Sequence, residues 1–257
     1  MSSPVALTTT YHTDTYPAIS PTSPALTQFG ETILITGGGS GIGFEITRSF
    51  AKASASRIII VGRRDASLEE SVVKLRNEFK TTEFITCQGD IGSDDSITFL
   101  WEFLYSQNIF VHVLVLNTAY VSESEYSPGV DILSLDKATL AQSAKFVKQV
   151  LSPAGQQLNQ LNLIGVSTAA IHESCTSYAR RNGAAKLFGK SGFKWDSFAL
   201  PADFSVWAAS PEAYRLHGRY VWPHWDVNEL RADSDIQKQL QGKGVHESRS
   251  RRIAYFR

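Results

Sequence analysis

The residues with the clearest chemical potential are Thr36-Gly37-Gly38-Gly39-Ser40-Gly41-Ile42-Gly43, five of them glycine. A run this rich in glycine turns tightly and presents backbone N–H groups with no side chain in front of them. Where such a run leaves a strand and opens a helix, those N–H groups favour an anion, helped by the aligned peptide dipoles. Gly37, Gly39, Ser40, Gly41, Ile42 and Gly43 are therefore expected to cradle a pyrophosphate. Further along, Val61-Gly62-Arg63-Arg64 ends a second apolar run. A site that selects a free ribose 2′-hydroxyl has an acid at this point, yet none occurs before Asp65. Guanidinium groups instead suit a 2′-phosphate, which they grip through paired charge-assisted hydrogen bonds. Arg63 and Arg64 thus predict NADP(H) rather than NAD(H).

These groups need strands before them and helices behind. Residues 32–36, 57–61, 83–88, 111–116 and 161–166 are short apolar runs of strand length. Between them, helical spacing covers 42–53, 95–107 and 136–150, and Ser67-Leu68-Glu69-Glu70 predicts a capping box opening a helix toward Lys80. β-rich runs alternating with amphipathic helices specify an α/β fold with a doubly wound parallel sheet, a Rossmann-like three-layer α/β/α arrangement. Residues 1–30 hold eleven Ser/Thr and four of the nine prolines, a composition that predicts a flexible arm. Residues 31–243 are expected to form a single nucleotide-binding domain, and 244–257 a basic tail.

Further pieces mark the ends of later strands: Gln88-Gly89-Asp90-Ile91 and Asn117-Thr118-Ala119. With the Thr-Gly-x-x-x-Gly-Ile-Gly form of the loop, and in this order, they resemble the short-chain dehydrogenase/reductase family. Segments 200–213 and 217–230 resemble the C-terminal part of its fungal members, many of which are tailoring enzymes of secondary-metabolite pathways. The resemblance implies that Asp90 and Ile91 lie beside the adenine and that Asn117 closes the fourth strand. Val166-Ser167-Thr168-Ala169-Ala170 resembles the family's catalytic serine segment, with Thr168 at the serine position and Ser167 just before it; either hydroxyl is a candidate to polarise a carbonyl. Tyr178 is implied as the group that donates or accepts the proton.

The family places a lysine four residues after the tyrosine, where this chain has Asn182. Asparagine brings no positive charge to stabilise a tyrosinate, so Tyr178 is expected to stay near the ordinary value of about 10. Arg181 and Lys186 are the nearest cationic substitutes, neither with the expected shape and position. No counterpart of the family's asparagine-bearing helix segment lies between Asn117 and Ser167. No Pro-Gly strand end lies between Tyr178 and Trp195, so the sixth-strand region is expected to be missing or distorted. The resemblance implies an NADP(H)-dependent oxidoreductase acting on a ketone or secondary alcohol; the alternative is an impaired remnant that at most binds nucleotide. Family members commonly form homo-oligomers through helices that look shortened here.

Composition narrows the remaining classes. With 25 basic and 25 acidic residues, the charge balance recruits neither nucleic acid nor an anionic membrane. The two cysteines, Cys87 and Cys175, have no metal-ligand spacing and predict a reducing compartment. No apolar run has spanning length, and the first basic residue is Arg48, so a cytoplasmic protein without a targeting leader is expected. Trp207, Trp222 and Trp225 are expected in the core.

Overall fold

The computed structural model describes residues 7–117, 162–166, 196–216, 219 and 221–241. The chain alternates β1 (Thr32–Thr36), α1 (Gly41–Lys52), β2 (Arg57–Gly62), α2 (Asp65–Glu78), β3 (Glu83–Gln88), α3 (Asp94–Ser106) and β4 (Val113–Leu116). Then come β5 (Asn162–Gly165), α4 (Ala199–Ala208), a 3-10 turn (Pro211–Leu216), α5 (Val227–Ala232) and α6 (Ser234–Gln241). The strands form one parallel sheet in the order β3-β2-β1-β4-β5. This is the doubly wound arrangement that the alternating pattern predicts. The order reverses between β1 and β4, so the loops leaving those two strands diverge and open a crevice at their carboxyl ends.

Both faces of the sheet are covered, which is why β1 is buried at all five positions. Ile33, Ile35, Ile58, Ile60, Val113 and Val115 pack toward α1, α2 and α4, against Phe50, Leu75 and Trp207 among others. Leu34, Ile59, Val61 and Leu114 face the other way, onto Ile97, Leu100 and Leu104 of α3. A smaller cluster joins Leu7, Trp222, Trp225, Leu230, Ile236 and Leu240. The three tryptophans are buried as expected, but Trp207 belongs to the main core and the other two to this satellite.

Several boundaries depart from the sequence reading. α2 begins at Asp65, with Arg64 as its N-cap, so Ser67 lies inside the first turn and the expected capping box does not form. No side chain caps α2, and the backbone carbonyl of Arg64 accepts the first bond of the helix from Leu68 N–H. The Ser210 hydroxyl, just before the 3-10 turn, donates back to Trp207 O at 2.7 Å. α3 is capped by Ser93, whose Oγ accepts from Ser96 N–H. The expected helix over 136–150 and the sixth-strand region fall outside the described residues.

The flexible arm predicted over residues 1–30 is not what residues 7–30 form. Pro17 and Pro24 each open a 3-10 turn, and Tyr16, Ile19 and Leu26 are buried in the main core. Thr9 and Thr10 donate backbone N–H groups to Glu229, His12 N–H donates to His224 O, and Gln28 N–H to Ala53 O. The Tyr16 hydroxyl donates to Trp225 O and accepts from Val227 N–H, and burial holds its phenol far above the ordinary tyrosine range. On α4, Asp203 is buried and accepts from Thr15 Oγ1 and Ser49 Oγ, each at 2.5 Å. The apolar anchors are single residues at irregular spacing, so no periodicity announced them. Replacing the fully buried Ile19 by alanine is expected to cost about 2–5 kcal/mol. Urea unfolding followed by tryptophan fluorescence measures this, and an unchanged midpoint would show that the segment contributes no packing.

Candidate nucleotide-binding site

The glycine run occupies the turn between β1 and α1, at the crevice where the sheet order reverses. Gly37 and Gly41 have φ of +69° and +56°, values that L side chains rarely adopt. Gly37 N–H donates to Val61 O at 2.7 Å, which ties the loop to the end of β2. Thr36 O accepts from Asn117 Nδ2 at 3.2 Å, and Thr36 Oγ1 accepts from Asn117 N–H at 3.1 Å, which ties it to the end of β4. A Cβ on Gly43 would lie 2.1 Å from Gly37 O and 2.6 Å from Asn117 Nδ2. Glycine is therefore required there by close approach. Asn117 thus holds the loop against β4.

α1 has no side-chain cap, because Ser40 does not turn its hydroxyl onto the helix, and its first turn contains no acid. The N–H groups of Gly39, Ser40, Gly41 and Ile42 find no backbone acceptor among the described residues. Ser40, Gly41 and Ile42 are exposed, and a Cβ added at Gly41 meets nothing within 4 Å. Several unpaired donors thus converge on open space at the positive end of a twelve-residue helix. Donors arranged in this way can receive an anion.

Arg63 and Arg64 follow β2 and are both exposed, and neither guanidinium makes an ion pair or hydrogen bond among the described residues. Gln88 Nε2 donates to Arg63 O at 3.1 Å and Gly89 N–H to Gly62 O at 2.9 Å, so the ends of β2 and β3 are joined beneath the two arginines. Asp90 is half-buried, its Oδ1 accepting from Gly92 N–H at 2.9 Å. The Ile91 side chain packs into the core under α3. Beside this edge, burial pushes the Cys87 thiol up to about 11, which leaves it a poor nucleophile at neutral pH.

β5 ends next to β4, with Val166 N–H donating to Leu116 O at 2.9 Å. Ser167 and Thr168 follow directly, and they, Tyr178 and Asn182 lie outside the described residues. Among the described residues no helix is long and apolar enough to cross a membrane, and no three His, Cys, Asp or Glu side chains gather to hold a metal.

Three groups at this site escaped the sequence reading. Thr47 Oγ1 bonds Gly43 O at 2.9 Å and Gly38 O at 3.2 Å; Ser71 Oγ bonds Gly39 O at 2.6 Å; Leu68 lies against Gly39 and Gly62. Thr47 stands one helical turn after Gly43, a spacing that could have flagged it. Ser71 and Leu68 reach the loop across a separate helix, and no local pattern announces that.

Residues 31–143 match the family model described as short chain dehydrogenase. A short chain dehydrogenase/reductase of Claviceps purpurea is 30% identical over 260 residues, covering 87% of this chain and 87% of that protein. The short chain dehydrogenase/reductase nsrO of Aspergillus novofumigatus is 29% identical, covering 86% of this chain and 89% of its own length. Among solved structures, L-sorbose reductase from Gluconobacter frateurii, complexed with NADPH and L-sorbose, superposes with a TM-score of 0.55. That superposition covers 73% of this chain and 92% of the reductase at 17% identity, a likeness of fold. With a doubly wound sheet, a glycine turn at its switch point and similarity over most of the length of these fungal proteins, the chain belongs to the short-chain dehydrogenase/reductase family of oxidoreductases.

Proposed function

We propose that this chain is an NADP(H)-dependent oxidoreductase acting on a ketone or secondary alcohol, in fungal secondary metabolism and in the cytoplasm. The observation that carries the cofactor half is the pairing of the exposed glycine cradle with two uncommitted arginines at the end of β2. The pyrophosphate rests on the N–H groups of Gly39 to Ile42, and Arg63 and Arg64 hold the 2′-phosphate. Asp90, with Ile91 packed below it, borders the adenine side, and Asn117 keeps the loop in register. When bound, the nicotinamide supplies or receives a hydride. In this reading Tyr178 carries the proton, and Thr168 or Ser167 donates a hydrogen bond to the substrate oxygen. The fungal relatives support the metabolic setting.

Arg63→Asp tests the cofactor choice. It removes a charge-assisted bond and sets a carboxylate against the phosphate, so the NADPH-over-NADH preference is expected to fall by about 10- to 100-fold or to reverse. Fluorescence titration with both dinucleotides measures it; equal or tighter NADH binding by the unaltered protein overturns the assignment.

A second reading is favoured by one observation, Asn182 at the family's lysine position. In that reading the chain binds nucleotide without brisk turnover, and activity rather than binding separates the two.

A further inference from the structure

Besides its ties to the ends of β2 and β4, the glycine loop is held by a side chain from a separate helix. Ser71 Oγ, on α2, lies 2.6 Å from Gly39 O and 2.8 Å from Ser67 O. The second contact is the ordinary back-bond of a helical serine. The first reaches a loop 32 residues away.

A trans peptide unit carries its C=O and N–H on opposite sides, so fixing one aims the other. The neighbouring Thr36–Gly37 unit obeys this rule: its carbonyl faces Asn117 on the β4 side, and its N–H faces Val61 on the β2 side. Applied to the Gly39–Ser40 unit, a carbonyl held against α2 turns Ser40 N–H away from α2. Ser40 is exposed and its N–H has no backbone acceptor among the described residues. Leu68, one turn before Ser71, bears on the same place, since a Cβ on Gly39 would lie 2.9 Å from its Cδ2. The inner face of α2 is therefore a bracket for the loop, and Ser71 is its only hydrogen-bonding member among the described residues.

We propose that Ser71 is a positioning residue of the anion cradle, locking the Gly39–Ser40 peptide so that Ser40 N–H is presented to the pyrophosphate of NADP(H). The inference rests on the nucleotide-binding reading above. Without the hydroxyl, the Gly39 carbonyl loses its donor and the peptide plane is free to rotate, while Arg63 and Arg64 are untouched. Ser71→Ala is then expected to weaken NADPH about three- to tenfold, the worth of one buried hydrogen bond. Adenosine 2′-monophosphate has a 2′-phosphate but no pyrophosphate, and its affinity is expected to stay the same.

The experiment titrates both ligands calorimetrically into the full chain and into Ser71→Ala, Ser71→Thr and Ser71→Val. Threonine keeps the hydroxyl, and valine has threonine's shape without it. The expected result is near-normal NADPH binding for Ser71→Thr, weakened binding for Ser71→Ala and Ser71→Val, and one 2′-monophosphate affinity throughout. If Ser71→Val does not fold, Ser71→Ala, which removes a single oxygen, carries the comparison with Ser71→Thr. The role is overturned if Ser71→Ala binds NADPH normally, if Ser71→Thr is as weak as Ser71→Ala, or if both ligands weaken together. A wild-type chain that binds neither ligand overturns the nucleotide reading itself, and this role with it.

Discussion

Replacing Gly43 by alanine is expected to abolish measurable NADPH binding and to destabilise the chain by about 3 kcal/mol or more. The added Cβ would sit 2.1 Å from Gly37 O and 2.8 Å from its carbonyl carbon, and backbone cannot swing aside as a long side chain can. Either the first turn of α1 or the loop must move, and both carry the donors of the cradle. Gly41→Val separates sterics from ligand contact. At Gly41 a Cβ meets nothing, so the folded state suffers only the strain of φ +56°, on the order of 1–2 kcal/mol. The valine side chain nevertheless enters the open space in front of the loop, and affinity is expected to collapse. Thermal unfolding and NADPH titration of both variants test the pair. A Gly43→Ala protein with a normal midpoint would overturn the steric requirement at Gly43, and a Gly41→Val protein with normal affinity would show that the phosphate does not rest here.

The second large effect concerns turnover. A family member normally sets a lysine beside its tyrosine, and this chain has Asn182. Loss of a tuned general acid costs about 10²–10⁴-fold in rate, and a poorly closed nicotinamide pocket adds misplacement losses. Ketone reduction is therefore expected to be slower by at least that factor than in a family member that has the lysine. Residual activity should vanish in Tyr178→Phe and ignore Asn182→Ala. Asn182→Lys alone is expected to restore little, because the segments that align the nicotinamide also depart from the family pattern. NADPH oxidation followed by absorbance with a panel of ketones is the measurement. Brisk turnover by the unaltered chain would assign the lysine's role to Arg181, Lys186 or another cation.

The glycine turn, the strands around it and the parallel order of the sheet were legible because each rests on a local pattern. Ile33 to Ile35 are apolar in succession since both sheet faces are covered, and five glycines in the seven residues after Thr36 leave few alternatives to a close-approach turn. The position of Arg63 and Arg64 directly after β2 was legible for the same reason, since it depends only on where that strand ends. The burial of Tyr16, Ile19 and Leu26 was not, because single apolar residues among serines, threonines and prolines have no period. The start of α2 was misread too, since the capping box at Ser67 is only a local preference worth about 1 kcal/mol, and the helix begins at Asp65 without it. Ser71 shows the limit most directly. In sequence it is a helical serine four residues after Ser67, with nothing to single it out. Packing of α2 onto the loop brings its hydroxyl 2.6 Å from Gly39 O. Periodicity and turn chemistry act between near neighbours in the chain, so the sequence alone determined the elements and their order. Which side chain reaches across from one element to orient another depends on distances between segments far apart in the chain, and only the tertiary structure decided that.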